Sequence, residues 1–323
     1  LFFYSFSALA KILTIFFILL HEVVRRCSVS VHDGMAYTVY MSKRTLLVAV
    51  SGGIDSVALL DMLAQRGEFD MTVAHFDHGI RSDSAADARF VEGLAKKYDL
   101  PFVSKREELG KHASEELARS RRYGFLRSEA KKRDALIATA HHSDDVIESI
   151  AINSIRGTGW RGLAVLDAPG IVRPLLGTTK AEIREYVLKN RLEWVEDSTN
   201  AGLKYLRNRV RQALARIPEV NKTQLLAGWK EQLHLKKVID SEVAMFVRPD
   251  GTYSRYFFTQ LDQAVASELL RTVVAVQTGA GPTRPQTERA LLAIKTAKPH
   301  TRHDIGAGVV LRFTMRTFIV ETP

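Results

Sequence analysis

Cysteine is nearly absent: the 323 residues contain one, Cys27, and it lies outside every motif discussed below. A disulfide within the chain is therefore excluded, as is a cysteine-ligated zinc or iron–sulfur site and any chemistry that needs two catalytic cysteines. Negative charge is in deficit, with 36 acidic against 46 basic side chains and a net charge of +10. On a globular chain such a surplus usually serves a polyanion, with nucleic acid the leading partner; an evenly spread solubilising charge is the alternative. No internal repeat and no low-complexity tract is present. The length suffices for a full catalytic domain and a smaller one.

One long hydrophobic run exists, residues 1–20, in which Lys11 is the only charge. It is long enough to span a bilayer, but it lacks the basic start and small-residue cleavage site of a signal peptide. As an anchor it would leave the following domain in the cytoplasm, held by Arg25 and Arg26. The alternative, favoured by Leu at position 1 and by Met35 and Met41 ahead of the first convincing strand, is read-through from upstream of the true start. Both place the remainder in the cytoplasm, and a membrane partner arises only from the first. Residues 1–40 are accordingly set apart from a catalytic domain over 41–218 and an accessory region over 219–323.

From Thr45 strands and helices alternate. Residues 45–50 form a continuous apolar run of buried-strand type, followed by a Gly-rich turn and a helix over 55–66. Further strands are expected at 71–76, 102–103 and 135–139, with helices at 84–98, 114–133 and 143–155. This alternation predicts an α/β fold with a doubly wound parallel sheet. Ligands in such sheets bind beyond the carboxyl ends of the strands, and three motifs fall there, after Val50, Ala74 and Thr139. Beyond Pro218 the pattern predicts helices over 219–247, 261–277 and 284–297, then a hairpin within 301–321, giving a small α+β unit.

Ser51-Gly52-Gly53-Ile54-Asp55-Ser56 follows the first strand and opens a helix. Its glycines let backbone amides approach phosphate oxygens, and the helix N-terminus adds donors and a favourable dipole. The serines supply hydroxyl donors, and Asp55 suits a magnesium ion on the phosphates. No lysine follows the glycines, so this is not a Walker A loop. The pattern points to the pyrophosphate part of ATP; a plain capped strand-to-helix turn is the competing reading. Gly157-Thr158-Gly159-Trp160-Arg161-Gly162 has dinucleotide-fingerprint spacing, but it follows a helix instead of a strand and reads as a flexible basic loop.

His75, Asp77, His78 and Arg81 end the second strand, and His141 to Asp145 end the fourth. They fit either a His/Asp metal cluster of a phosphoesterase or the surroundings of ATP, magnesium and an acceptor; Asp144 or Ser143 also fits a plain helix N-cap. The phosphate loop at the neighbouring strand end favours the nucleotide site. Basic clusters lie at Arg119, Arg121 and Arg122 with Tyr123, at Arg156 with Arg161, and at Arg207, Arg209 and Arg211. Arginines suit bidentate phosphate contacts and an interleaved tyrosine can stack on a base, while each cluster alone also fits a solvated helix face.

Taken in order, these stretches resemble the tRNA(Ile)-lysidine synthetases, a PP-loop branch of the N-type ATP pyrophosphatases. The likeness runs from about Thr45 to Pro218. It also takes in Glu115-x-x-Ala118-Arg119-x-x-Arg122-Tyr123, Arg173-Pro174-Leu175-Leu176, Glu196 to Asn200 and Tyr205 to Arg211. The resemblance implies ATP-dependent joining of free L-lysine to C2 of the wobble cytidine of tRNA(Ile) with a CAU anticodon, through an adenylated cytidine. It implies ATP at Ser51 to Ser56 and Mg2+ at Asp55 and Asp145. His75, His78, Arg81 and His141 are implied as catalytic groups beside Asp55 and Asp145. Glu115 is expected to receive the lysine substrate, and Arg119, Arg122, Arg156, Arg161, Arg207, Arg209 and Arg211 the tRNA; no protein partner is implied. Two positions depart from the family pattern, Val146 where Gln is common and Ser149 where Thr is common. The rivals are a tRNA thiolase, which generally needs catalytic cysteines, NAD or GMP synthetases, which have no need of three arginine clusters, a metal-dependent phosphoesterase, and a non-enzymatic RNA-binding module, which leaves the phosphate loop unexplained.

Overall fold

The computed structural model describes residues 44–79, 84–110, 114–196, 206–279, 281–306 and 308–321. Five parallel strands form the first sheet: β1 (Arg44–Ala49), β2 (Phe69–Asp77), β3 (Phe102–Arg106), β4 (Leu136–Ala138) and β5 (Ile171–Val172). Their order is β3-β2-β1-β4-β5, so the chain runs outward from β1 to one edge and then returns to build the other. The reversal lies between β1 and β4, which is where a crevice opens at the carboxyl ends of such a sheet.

The continuous apolar character of β1 follows from burial on both faces. Leu46, Val48 and Val50 pack with α1 (Ile54–Arg66), α2 (Ser84–Lys97) and α5 (Lys180–Lys189). Leu47 turns the other way, with Ala74, Phe76 and Ile137, against α3 (Glu115–Lys132). A period of two thus divides one strand between two cores, as a doubly wound sheet requires. The expected strands and helices of this half all form, with ends shifted by a few residues. Two elements absent from the sequence reading, β5 and α5, complete it. The two residues of β5 are too few for periodicity to register, and α5 carries only two fully buried side chains, Ile183 and Val187.

The fourth crossover helix, α4 (Ser143–Ile155), is followed by a 3-10 turn over Trp160–Gly162. Further on lie α6 (Leu206–Leu214) and the long α7 (Glu219–Ala244), which cover α4. The remainder is α+β: α8 (Arg255–Gln260), α9 (Gln263–Thr278) and α10 (Arg284–Thr296) against an antiparallel sheet of order β6-β9-β8-β7. The hairpin expected within 301–321 is in fact three strands, β7 (Arg302–Gly306), β8 (Val309–Phe313) and β9 (Thr317–Glu321). A fourth strand, β6 (Thr252–Ser254), pairs on β9. The short Thr314–Arg316 connection hides the second turn from a sequence pattern. Arg255 secures this unit by donating to three main-chain carbonyls, those of Ile294, Ala297 and Thr314, two of them at the C-terminal end of α10, where helical carbonyls lack partners of their own.

The segment expected to be a flexible basic loop is instead a joint between the two halves. Trp160 Nε1 donates to Glu268 Oε1 at 3.1 Å, while Arg161 donates to Glu268 at 2.5 Å and to Asp240 at 2.7 Å. The guanidinium also lies over the Trp160 ring, 4.7 Å from its centroid. A lysine from α7, Lys236, reaches back to Asp167 at 2.6 Å. Trp229 Nε1 donates to the Val165 carbonyl at 3.0 Å inside a buried cluster with Val146. Because Arg161 and Glu268 are mostly shielded from water, their pairing is worth more than a surface ion pair. A double-mutant cycle of Arg161→Ala and Glu268→Ala, read by urea denaturation, is expected to give a coupling of about 1–2 kcal/mol; additive effects would show the joint to be idle.

Candidate functional site

The crevice between β1 and β4 is built from main chain first. Val50 ends the strand ladder, and Gly52 adopts φ of +91°, a left-handed conformation that a side chain would strain. Ser51 and Ser56 lock the loop: the Ser51 amide and hydroxyl both meet Ser56 Oγ at 3.2 Å, and Ser56 Oγ donates to the Gly53 carbonyl at 2.8 Å. The Gly52 carbonyl accepts from Val195 N–H at 2.9 Å, tying the loop to the segment after α5. Gly53 is the N-cap of α1 with no side-chain cap, so amides of the first turn remain open to an anion.

Asp55 lies in that first turn and meets cationic or ionisable neighbours. Lys180 Nζ is 2.5 Å from Asp55 Oδ1, and His142 Nε2 is 4.0 Å from Oδ2. His142 is itself surrounded, with Asp144 and Asp145 each at 3.5 Å. Burial works against a charge on His142, but the Asp144 carboxylate at 3.5 Å and the fields of Asp145 and Asp55 prevail, so its pKa is raised. Asp144 is correspondingly held down to about 2, chiefly by His142 and then by the Lys180 backbone N–H at 2.9 Å. Asp145 accepts the His142 backbone N–H at 3.0 Å. Arg211 stands 3.9 Å from Asp145 and pairs closely with the buried Glu148.

Among the described residues no group of three or more His, Cys, Asp or Glu is arranged as a preformed metal site. Two of the histidines of the phosphoesterase reading are engaged through Nδ1 instead of being directed at a shared ion. His75 Nδ1 lies 2.9 Å from the Val50 carbonyl, so it must donate and leaves Nε2 as the ring's acceptor when neutral. His141 Nδ1 meets Thr139 Oγ1 at 2.9 Å. The donor set does fit a hard ion arriving with phosphates, which takes one or two carboxylates and keeps water. Asp55 and Asp145, flanking His142 from two strand ends, offer that pair.

His141 and His142 face different surroundings. His141 is pushed down to about 4, first by burial, against the attraction of Asp145 and with Arg173, Arg119 and Arg122 adding repulsion. His78, packed edge-on to Phe76 at 4.9 Å, is also lowered by burial and by Arg122. Tyr123 is buried and lies within 5.0–6.0 Å of the guanidiniums of Arg119, Arg122 and Arg127. The expectation that it stacks on a base is therefore corrected: its ring orders the arginines and is closed to a nucleobase.

Of the expected RNA contacts, Arg156 and Arg209 are exposed, while Arg119 and Arg122 are half-buried beside His141 and His78. Arg161 is directed into the inter-half joint and Arg211 into the acidic cluster, so both serve the fold first. Arg81 and the side chains of Glu115 and Arg207 lie outside the described residues. His142, Asp144 and Lys180 are the site residues that the sequence reading did not single out. His142 stood beside the chosen His141 with nothing to rank them, and Lys180 is 125 residues from its partner Asp55.

A model of the PP-loop domain matches residues 21–218. The tRNA(Ile)-lysidine synthase of Solibacter usitatus is 38% identical over 199 residues, covering 60% of this chain and 44% of that protein. That of Thermotoga maritima is 40% identical over 192 residues, 55% of this chain and 46% of the relative. The chain thus spans less than half the length of these curated relatives. In fold it is similar to the U34-tRNA thiolase NcsA from Methanococcus maripaludis, solved with its [4Fe-4S] cluster, at a TM-score of 0.53 and 16% identity; the match covers 62% of this chain and 75% of the other.

His141 supplies a pH test whose sign is fixed. A histidine whose folded pKa lies below its unfolded value costs stability as pH falls from about 6.5 toward 4, because only the unfolded chain takes the proton freely. Between pH 7 and pH 5 the native protein is expected to lose on the order of 1–2 kcal/mol from this group. His141→Asn is expected to show a smaller loss over the same interval in chemical denaturation; an identical pH slope would sink the assignment.

Proposed function

The chain belongs to the PP-loop domain family, and from that premise we propose that it is an ATP-consuming tRNA(Ile)-lysidine synthetase acting in the cytoplasm. The observation that carries the reading is the meeting of two motif-bearing loops at one reversal of strand order. Ser51 to Ser56 end β1, His141 to Asp145 end β4, and their carboxylates converge on His142. The curated relatives carry that activity in their names.

The main-chain amides of the loop and the start of α1 would hold the ATP phosphates, with the Ser51 and Ser56 hydroxyls beside them. Asp55 and Asp145 would hold Mg2+, which supplies neutralisation of charge on the phosphate chain. The cytosine O2 of the wobble nucleotide attacks the α-phosphorus and pyrophosphate leaves. The amine of free lysine then attacks C2, and that oxygen departs with AMP. His141, held neutral, stands ready as a proton acceptor, and His75 offers Nε2 as its acceptor when neutral. The cationic lysine substrate is assigned to Glu115, and the exposed Arg156 and Arg209 with Arg119 and Arg122 to tRNA phosphates.

The solved neighbour is a thiolase holding a [4Fe-4S] cluster, but a cluster of that type draws several cysteine ligands. This chain has only Cys27. An amine nucleophile needs no such group.

Incubating the protein with ATP, magnesium, labelled lysine and a tRNA(Ile) transcript bearing CAU is expected to place label in RNA. Bound tRNA without label would defeat the proposal. Asp55→Ala is expected to lower pyrophosphate release at least a hundredfold with tRNA affinity within a few-fold, since the metal site and the RNA surface are separate elements. Equal loss of both would make Asp55 a structural residue.

A further inference from the structure

One buried carboxylate takes no part in the site described above. Asp61 follows Asp55 on α1, about 9 Å farther along the helix axis, and is only 4% exposed. Tyr98 donates to its Oδ1 at 2.5 Å, while Tyr186 at 2.6 Å and Gln65 Nε2 at 2.8 Å donate to its Oδ2. Both oxygens accept, which suits the ionised form. Burial, and after it the bond to Asp61, raises both phenols above their ordinary range, so they remain donors. All three donors are neutral. A carboxylate buried among neutral donors gains little over apolar groups of the same shape, so stability does not account for it.

The elements that Asp61 joins meet again at the phosphate loop. Tyr98 comes directly after α2, and two residues of that helix, Phe90 and Val91, stand against Gly52, where a side chain would meet them at 3.5 and 3.6 Å. Tyr186 lies in α5. Beyond α5, Val195 donates its N–H to the Gly52 carbonyl at 2.9 Å and would meet the same side chain at 3.7 Å. The helix of Asp61 itself starts from the loop, at Gly53. A glycine has no side chain to fix its own conformation, so the φ of +91° at Gly52 is set by what packs on it.

Apolar contacts are non-directional, whereas hydrogen bonds fix both distance and angle. We infer that Asp61 is a positioning residue for the phosphate loop. By holding Tyr98 and Tyr186 on one carboxylate it fixes α2 and α5 against α1, and so keeps Val91 and Val195 on Gly52. The inference rests on reading the loop as the ATP site.

Three variants of the full chain separate positioning from stability. Tyr98→Phe with Tyr186→Phe removes both phenol donors and leaves Asp61 buried with fewer bonds. Adding Asp61→Leu makes the whole node apolar, and this triple variant is expected to unfold at a higher urea concentration than the double. Leu126→Ala, a core change on the opposite face of the sheet, serves as the comparator for lost stability alone. Magnesium-loaded ATP, measured by equilibrium dialysis, is expected to bind the double and triple variants about tenfold more weakly, and the comparator within about twofold of the unmodified protein. Hydrogen exchange over residues 50–57, read without nucleotide, is expected to run roughly fivefold faster in the double and triple variants, with residues 263–296 unchanged. Affinity and exchange that recover in the triple variant, that stay unaltered in both, or that shift equally in Leu126→Ala overturn the role given to Asp61. If the triple variant does not fold by circular dichroism, the double variant and the comparator decide. An unmodified protein that bound no ATP would instead remove the nucleotide reading, while the exchange measurement would still decide on Asp61.

Discussion

Concentrated negative charge at the end of a parallel sheet has to be balanced, and that requirement organises this molecule. Asp55, Asp144, Asp145 and Glu148 come from the opening turns of two helices that start at adjacent strand ends. Asp55 is answered by Lys180 from the start of α5 and Glu148 by Arg211 from α6, while His142 lies among Asp55, Asp144 and Asp145. Because the compensating groups arrive from separate segments, neutralising the crevice also closes the fold around it.

A second field lies beside the first. Burial, and after it the charges of Arg173, Arg119 and Arg122, depress the basicity of His141, while the carboxylates raise that of its neighbour His142. Two adjacent imidazoles are thus driven in opposite directions, burial prevailing at His141 and carboxylates prevailing at His142. The buried Tyr123 contributes by holding arginines at fixed distances on its ring.

Much of this was legible in the sequence because local rules produce it. The apolar run of β1, the glycines of the loop and the strand–helix alternation each act within a few residues, and they located the crevice and its two motif loops. What escaped depends on long-range closure. Nothing near Lys180 announces Asp55, and nothing in His141-His142 says which ring turns to the carboxylates. Arg161 reads as a surface cation until α7 and α9 bring Asp240 and Glu268 to it. Tyr123 reads as an exposed aromatic among arginines because its burial comes from the sheet beneath it. In the C-terminal unit the longer helices are visible by period, whereas the six-residue α8 and a sheet of short strands, one contributed from outside the stretch, are not.

The cluster of Val146, Val165 and Trp229 gives the two halves a shared interior. Val146 sits one residue after Asp145, on the helix whose first turn faces the crevice, and its cover is a tryptophan of α7. Exchanging the C-terminal half for another would uncover the helix that carries half of the acidic pair, so the crevice draws part of its support from α7.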